Sequence, residues 1–348
     1  MVSHPISNMQ TKHNARSAVI GLGQMGLQHA AILSVLTGQR VCVHESNARL
    51  LNMVSMFAAN LCVHSDLNDL LHEEELRSVF VCTPVQTHSE LGRAIMEETS
   101  SQVSLFVEKP LAANHRSAKE LATIADRGGR MVMVGFQKRF NGVYLKLKEL
   151  VQNDALGEVK CYRAHSFSYD VTRRSKGWKF EPPFGGVTLD FGVHVIDIIT
   201  WLFGEPMVSH SFRSNLFSKG VEDYVHADLE HNDIVGTLDV GWSMRNFTPS
   251  DHELEIQGTN GTAVASDEKL TIYLENDAKP YLAGTHTFYK SELTPKPPYL
   301  LTYPEYVLED VYFLKSTQTG TSPSPSFQQA ALVNKVVDEI RNFQEPNR

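Results

Sequence analysis

Two rhythms of apolar residues divide the chain. From Ala15 to Gln137, short continuous apolar runs alternate with helix-like stretches. Ala18–Ile20, Arg40–Glu45, Leu61–Val63, Ser78–Pro84, Val103–Val107 and Met131–Gly135 read as strands. Between them, Leu27–Leu33, Asn47–Ala59 (Leu50, Leu51, Val54 and Phe57 on one side), a turn capped by Asp66, His88–Met96 and His115–Asp126 read as helices. Uninterrupted apolar strands separated by helices predict a parallel sheet covered on both faces, a doubly wound α/β domain. A helix Phe140–Leu150 and a strand Val159–Phe167 follow, then a polar, aromatic loop from Tyr169 to Pro183. Val187–Phe203 predicts one buried helix stopped by Gly204. From Met207 the rhythm changes: Met207–Leu216, Tyr224–Glu230, Ile234–Ser243, His252–Gln257, Thr262–Ser266 and Leu270–Leu274 are strands with turns but no helices between them. That succession predicts an antiparallel sheet. Glu275–Pro304 reads as irregular, and Glu305–Thr317 and Ser326–Phe343 as closing helices. The expected organisation is a flexible arm over 1–14, a doubly wound domain over 15–137 and a second α/β domain over 138–348.

The chemistry concentrates at the ends of the predicted strands. Val19-Ile20 runs into Gly21-Leu22-Gly23-Gln24-Met25-Gly26, a G-x-G-x-x-G between strand and helix. Gly21 permits the tight turn, Gly23 lets backbone approach a pyrophosphate, and Gly26 lets helix and strand pack closely. The phosphates would rest on the helix N-terminus, whose N–H groups favour anions. Glu45 ends the second strand roughly 20 residues on, where an acid holds the ribose hydroxyls of NAD and repels the extra phosphate of NADP. Ligands of such sheets gather at strand carboxyl ends, which here carry Thr83-Pro84, Glu108-Lys109-Pro110 and Gly135-Phe136-Gln137. The Lys109 ammonium can stabilise negative charge developing on a substrate oxygen, or it is simply a surface lysine in a Lys-Pro turn. Asp190 and His194 share a helix face at i, i+4, so the imidazole is poised for proton transfer with a carboxylate to steady it; equally, the two could satisfy each other in a core. Asp197, a turn further on, reads as structural. Arg173, Arg174, Lys176, Trp178 and Lys179 give the 169–183 loop the means to cover a polar substrate, or make it a solvated surface.

Composition narrows the partners. With 348 residues, 42% hydrophobic and 21% charged, the chain is expected to be a soluble protein of two domains. A net charge of -8 implies no basic face for nucleic acid. No apolar run reaches membrane-spanning length, and Met1–Arg16 lacks the apolar centre of a signal peptide. Cys42, Cys62, Cys82 and Cys161 form no C-x-x-C pair; they read as free thiols in a cytoplasmic protein, with no metal centre expected.

Taken together, these motifs resemble the family of glucose–fructose oxidoreductase, inositol dehydrogenase and MocA proteins over nearly the whole chain. The resemblance rests on the glycine motif, Thr83-Pro84 with His88, Glu108-Lys109-Pro110, Gly135 to Phe140, Gly185-Gly186 followed by Asp190 and His194, Val221 to Tyr224, and Gly258 to Thr262. It implies a Rossmann domain followed by an α/β domain with a large open, mostly antiparallel sheet that commonly forms dimers or tetramers. It further implies that Lys109, Asp190 and His194 match the family's catalytic residues. Gly21 to Gly26, Glu45, Thr83, Pro84, His88, Glu108, Lys109 and Gln137 would then line the cofactor, and Arg139 and Trp178 would join the catalytic residues around the substrate. Two positions depart from the pattern: Glu45 stands where aspartate is more usual, and Val187 where relatives often have another glycine. The expected activity is NAD(H)-dependent hydride transfer to or from a sugar, polyol or sugar derivative. The alternatives are an enzyme that oxidises and re-reduces its substrate during glycoside cleavage or epimerisation, and a non-catalytic NAD sensor.

Overall fold

The computed structural model describes residues 15–169, 177–297 and 303–344. Arg173, Arg174 and Lys176 of the expected substrate loop lie outside these residues, as does the 1–14 arm. The chain forms two units.

The first unit opens with the predicted alternation. Strands β1 (Arg16–Ile20), β2 (Val41–His44), β3 (Leu61–His64), β4 (Leu76–Val81), β5 (Ser104–Glu108) and β6 (Val132–Gly135) are separated by α1 (Gln24–Thr37), α2 (Ala48–Phe57), α3 (Leu67–Leu71), α4 (Val85–Glu98) and α5 (His115–Arg127). All pairings are parallel, in the order β3-β2-β1-β4-β5-β6. The apolar runs lie in its centre: Ala18, Val19, Val79, Phe80, Leu105 and Phe106 are wholly buried. The helices carry ordinary start signals. Asn47, Asp66 and Asn114 accept backbone N–H bonds at the starts of α2, α3 and α5. Helix α5 buries Ala118, Leu121, Ala122 and Ala125, one stripe at helical spacing.

The second unit contains an eight-stranded sheet. Strands β7 (Val159–Phe167), β8 (Met207–Ser214), β9 (Tyr224–His231), β10 (Ile234–Gly241), β11 (Asp251–Gly258), β12 (Gly261–Ser266), β13 (Lys269–Leu274) and β14 (Gly284–Tyr289) stand in the order β14-β13-β12-β11-β7-β10-β9-β8. Only β7–β10 is parallel. Burial alternates along the strands, so one face of the sheet is covered and the other open. Helices α6 (Gly142–Gln152), α7 (Val193–Phe203) and the short α8 (Lys290–Leu293) belong to this unit. Strand β14 and α8 occupy part of the segment expected to be irregular. The sequence Gly284-Thr-His-Thr-Phe-Tyr289 holds little apolar residue, and its strand state comes from pairing along β13.

The larger difference concerns the tail. Helix α9 (Pro304–Thr319) lies in Lys296–Ala331, which clusters with the first unit rather than with the second domain expected over 138–348. Val307 and Val311 of α9 pack on Ile32 of α1, with Leu36 and Tyr306 beside them, and the Val134 N–H donates to Pro325 O at 3.0 Å. Helix α10 (Phe327–Asn342) then carries the chain back into the second unit. Among the described residues, no helix is long and apolar enough to cross a membrane.

Candidate active site

In the first unit, the turn from β1 into α1 has the form its glycines predict. A Cβ on Gly26 would lie 1.8 Å from the Gly21 carbonyl oxygen, so helix and strand meet there only because the residue is glycine. A Cβ on Gly23 would meet nothing within 4 Å: the N-terminus of α1 opens onto space. That helix has neither a side-chain cap nor an acidic residue in its first turn, which leaves its N–H groups and dipole to an anion. Gln24 is exposed, Met25 half-buried and the Leu22 side chain buried, so Leu22 offers the turn only its backbone. Its N–H donates to Glu45 Oε2 at 2.8 Å, while Asn47 N–H donates to Oε1 at 2.9 Å. Burial alone would raise the Glu45 pKa; these N–H bonds, with the Ser46 hydroxyl, hold it below the ordinary value. The carboxylate is therefore ionised and fixed beside the glycine turn. An open helix N-terminus, a glycine cradle and an anchored acid together fit a dinucleotide.

Behind this turn lies a buried charge network. His29 of α1 is wholly buried, with Nε2 3.0 Å from Glu108 Oε1 and Nδ1 2.9 Å from Asp310 Oδ1 on α9. Burial opposes its charge, but the two carboxylates outweigh burial and raise its pKa well above the usual value. Glu108 Oε2 accepts the Lys109 N–H at 3.0 Å. The network thus sets the backbone from which the half-buried Lys109 projects. Glu108, expected at the cofactor, is 6% exposed, and its carboxylate is bonded to His29 and to the Lys109 N–H. His88, also expected at the cofactor, has backbone partners on both ring nitrogens. It is buried, with Nδ1 2.8 Å from Pro110 O and Nε2 2.7 Å from Thr83 O. It ties two strand-end turns together. Thr83, half-buried, and Pro84, exposed at the N-cap of α4, remain accessible there, and Gln137 is half-buried where the unit ends.

In the second unit, Asp190 and His194 do not sit on one regular helix. Thr188–Gly192 is a π-helical turn and His194 falls in the first turn of α7. Such turns insert a residue and re-aim the side chains beside them. Its supports are specific. Gly186 has φ +120°, and a Cβ there would lie 2.3 Å from Glu222 Oε1. The Glu222 carbonyl accepts the Val187 N–H at 3.0 Å, and its carboxylate pairs with Arg341 Nε at 3.1 Å. Asp190 is half-buried and receives Lys179 Nζ at 3.2 Å, next to the half-buried Trp178. His194 is 8% exposed, and its ring stands 6.1 Å from that of His252, which also packs on Phe191 at 4.6 Å. His252 Nδ1 in turn lies 2.6 Å from Ser166 Oγ.

Arg139, expected near the substrate, is paired within the second unit. It is 5% exposed, and its guanidinium grips Asp197 through Nε at 2.9 Å and Nη2 at 2.7 Å. A buried, bidentate pair of this kind holds the guanidinium in a fixed orientation. Lys138 is likewise paired, 2.6 Å from Asp267 Oδ1, which Tyr144 also reaches. His29, Asp310 and His252 are the supporting residues that sequence reasoning missed, while Lys179 was expected in the substrate loop and Glu222 only as part of a motif, without a role. Only His29 carried a local signal, one turn beyond the glycine motif.

Comparison with known proteins bears on the family and the fold. Residues 15–136 match the model of an oxidoreductase family with an NAD-binding Rossmann fold, and residues 144–264 that of the GFO/IDH/MocA C-terminal domain. The chain is 30% identical to inositol 2-dehydrogenase 2 of Saccharopolyspora erythraea over 194 residues, 55% of this chain and 54% of that one. It therefore spans about half the length of that relative. It is 26% identical to myo-inositol 2-dehydrogenase of Thermotoga maritima over 332 residues, 91% of this chain and 92% of that one. Levoglucosan dehydrogenase, solved in complex with NADH and levoglucosan, superposes with a TM-score of 0.82 at 23% identity, covering 94% of this chain and 96% of that one.

Proposed function

The chain belongs to the Gfo/Idh/MocA family of NAD-binding oxidoreductases, and from that premise we propose that it is an NAD(H)-dependent dehydrogenase of a sugar or polyol. The observation that carries the proposal is the coexistence of the anchored glycine cradle with Asp190, on a π turn held by Glu222, and His194, in the first turn of α7 that follows it. Binding the cofactor requires only the cradle; the second group has chemistry to perform. Bound NAD supplies hydride acceptance, or NADH donation, at one carbon of the substrate. His194 takes the proton of the secondary hydroxyl during oxidation and returns it during reduction. Lys109 donates a hydrogen bond to the reacting oxygen and stabilises its developing charge. Asp190, steadied by Lys179, orients a hydroxyl and supports the charged imidazole. Trp178 supplies an apolar surface for the substrate ring. Glu45 favours NAD over NADP by repelling a 2′-phosphate.

The inositol and levoglucosan dehydrogenases among its relatives support a polyhydroxylated substrate. A cytoplasmic location is supported by four free thiols. A homodimer or homotetramer formed through the open sheet face is supported by Val235 and Phe212, 58% and 56% exposed.

The test is nicotinamide reduction across polyols, free sugars, glycosides and nucleotide sugars, with product analysis on the same samples. Net reduction with one class is expected, and His194→Ala should lower turnover by about 10²–10⁴ while leaving NAD binding intact. Product without net reduction would instead mark transient redox. Bound NAD with no product from any class would mark a sensor.

A further inference from the structure

The edge of the parallel sheet carries a second constellation, away from the glycine turn. Cys42 on β2 stands directly opposite Cys62 on β3 in the parallel register. His64 follows Cys62 by two residues, so the three side chains emerge on the same face. Glu73, on the turn after α3, reaches that face as well. The donor atoms of Cys42, Cys62, His64 and Glu73 all lie within 4.8 Å of one another.

We infer that these four residues form a structural site for a tetrahedral, thiolate-preferring divalent cation, with zinc as the best fit. The spacing is the first argument. Cys62 Sγ is 3.5 Å from His64 Nε2, and His64 Nε2 is 3.3 Å from Glu73 Oε1. Zinc bonds of ordinary length at tetrahedral angles give sulfur–nitrogen and nitrogen–oxygen edges of about 3.5 and about 3.3 Å. The thiols close the remaining edges by small movements, since a sulfur pair on zinc stands about 3.8 Å apart.

The donor set is the second argument. Two thiolates, an imidazole and a carboxylate suit a borderline-soft ion and disfavour magnesium or calcium, which take oxygen ligands. Four protein ligands leave no open position, as structural zinc sites require. Charge is the third. Arg16 Nη1 lies 2.5 Å from Glu73 Oε2, leaving Oε1 for the metal, and its guanidinium also neighbours Cys42. Two thiolates, one carboxylate, one guanidinium and a dication sum to no net charge. Cys42 is buried while Cys62, His64 and Glu73 are half-buried, so an ion has a way in.

The consequence is mechanical. Strand β3 is four residues long and forms the sheet edge. A metal bound here would fasten β3 to the turn bearing Glu73 and to β2, whose Cys42 precedes Glu45 by three residues. This goes beyond hydride transfer and does not depend on it.

The experiment uses the full chain, reduced and stripped with a chelator, then titrated with Zn²⁺ alone and in parallel with Co²⁺ alone. One equivalent of Zn²⁺ should bind and raise the melting temperature. Co²⁺ should produce a thiolate charge-transfer band. Cys62→Ser and Glu73→Gln, both at half-buried positions, should each weaken binding by at least the 10–100-fold that losing even an outer-shell partner costs. The half-buried thiol Cys161 lies in the other unit, and Cys161→Ser should change nothing. Failure of the reduced protein to take up an equivalent would overturn the inference. So would uptake that survives both ligand variants, which would place the metal elsewhere. A Cys42–Cys62 disulfide forming in a chain that ignores Zn²⁺ when reduced would make the two a redox pair and also overturn it.

Discussion

At the scale of single residues, charge burial separates groups that bind from groups that hold. Glu45 is half-buried, ionised and beside the glycine turn. Glu45→Ser should remove the repulsion of a 2′-phosphate, so the NADP-to-NAD ratio of kcat/KM should rise; an unchanged ratio would assign cofactor choice to another part of the turn. Glu309 on α9 is its opposite. It is wholly buried, and neither carboxylate oxygen has a hydrogen-bond partner among the described residues. Burial, with Glu108, Asp310 and Glu305 nearby, raises its pKa well above the ordinary 4.5 despite His29. A raised carboxyl binds its proton more tightly folded than unfolded. Its stabilising share is complete below pH 4.5 and is lost as pH rises above that value toward the folded pKa. Glu309→Gln keeps the neutral form at every pH. Its melting temperature should therefore gain on the parent protein between pH 5 and pH 8. A constant difference across that range would show that Glu309 is ionised in the fold.

At the scale of elements, the π turn carries the site of the second unit. Gly186→Ala adds a methyl group where φ is +120° and the Glu222 carboxylate stands 2.3 Å away. Strain of this kind costs on the order of 1–3 kcal/mol. The turn bearing Asp190 should shift, and turnover should fall by about tenfold or more while NAD affinity, set by the first unit, stays put. Equal turnover with a lower melting temperature would make Gly186 a matter of stability alone. The π turn was not legible in the sequence, because Val187 to Phe203 is largely apolar on every side and gives no clear periodicity from which to detect one inserted residue. Strand β14 was hidden for the converse reason, having too few apolar residues. The six parallel strands and the glycine turn were legible because their signals are local: continuous apolar runs, and glycines at fixed spacing. Glu108, His88 and Arg139 were expected at ligands because the motifs that hold them resemble those of the family. Their partners, backbone carbonyls or residues far along the chain, have no local signature.

At the scale of the whole molecule, the proposed assembly can be tested through the open face of the eight-stranded sheet. Val235 lies on β10 beside Cys161 of β7 and opposite Glu230 of β9. Its exposure means that Val235→Lys should leave the fold intact. If this face joins copies of the chain, the variant should elute as a smaller species in light-scattering chromatography with an unchanged circular dichroism spectrum. An unchanged mass would move the contact elsewhere. The interleaved path of the chain has a further consequence, in the order of synthesis. The first unit begins with β1 but lacks α9, and so Asp310 as the partner of His29, until the second sheet has been made. At roughly 5–20 residues per second, residues 138–310 occupy the ribosome for on the order of 10–30 s. Through that interval the nucleotide-binding sheet emerges with one side of α1 uncovered and the His29–Glu108 pair incomplete. The first domain to leave the ribosome is thus among the last to be finished.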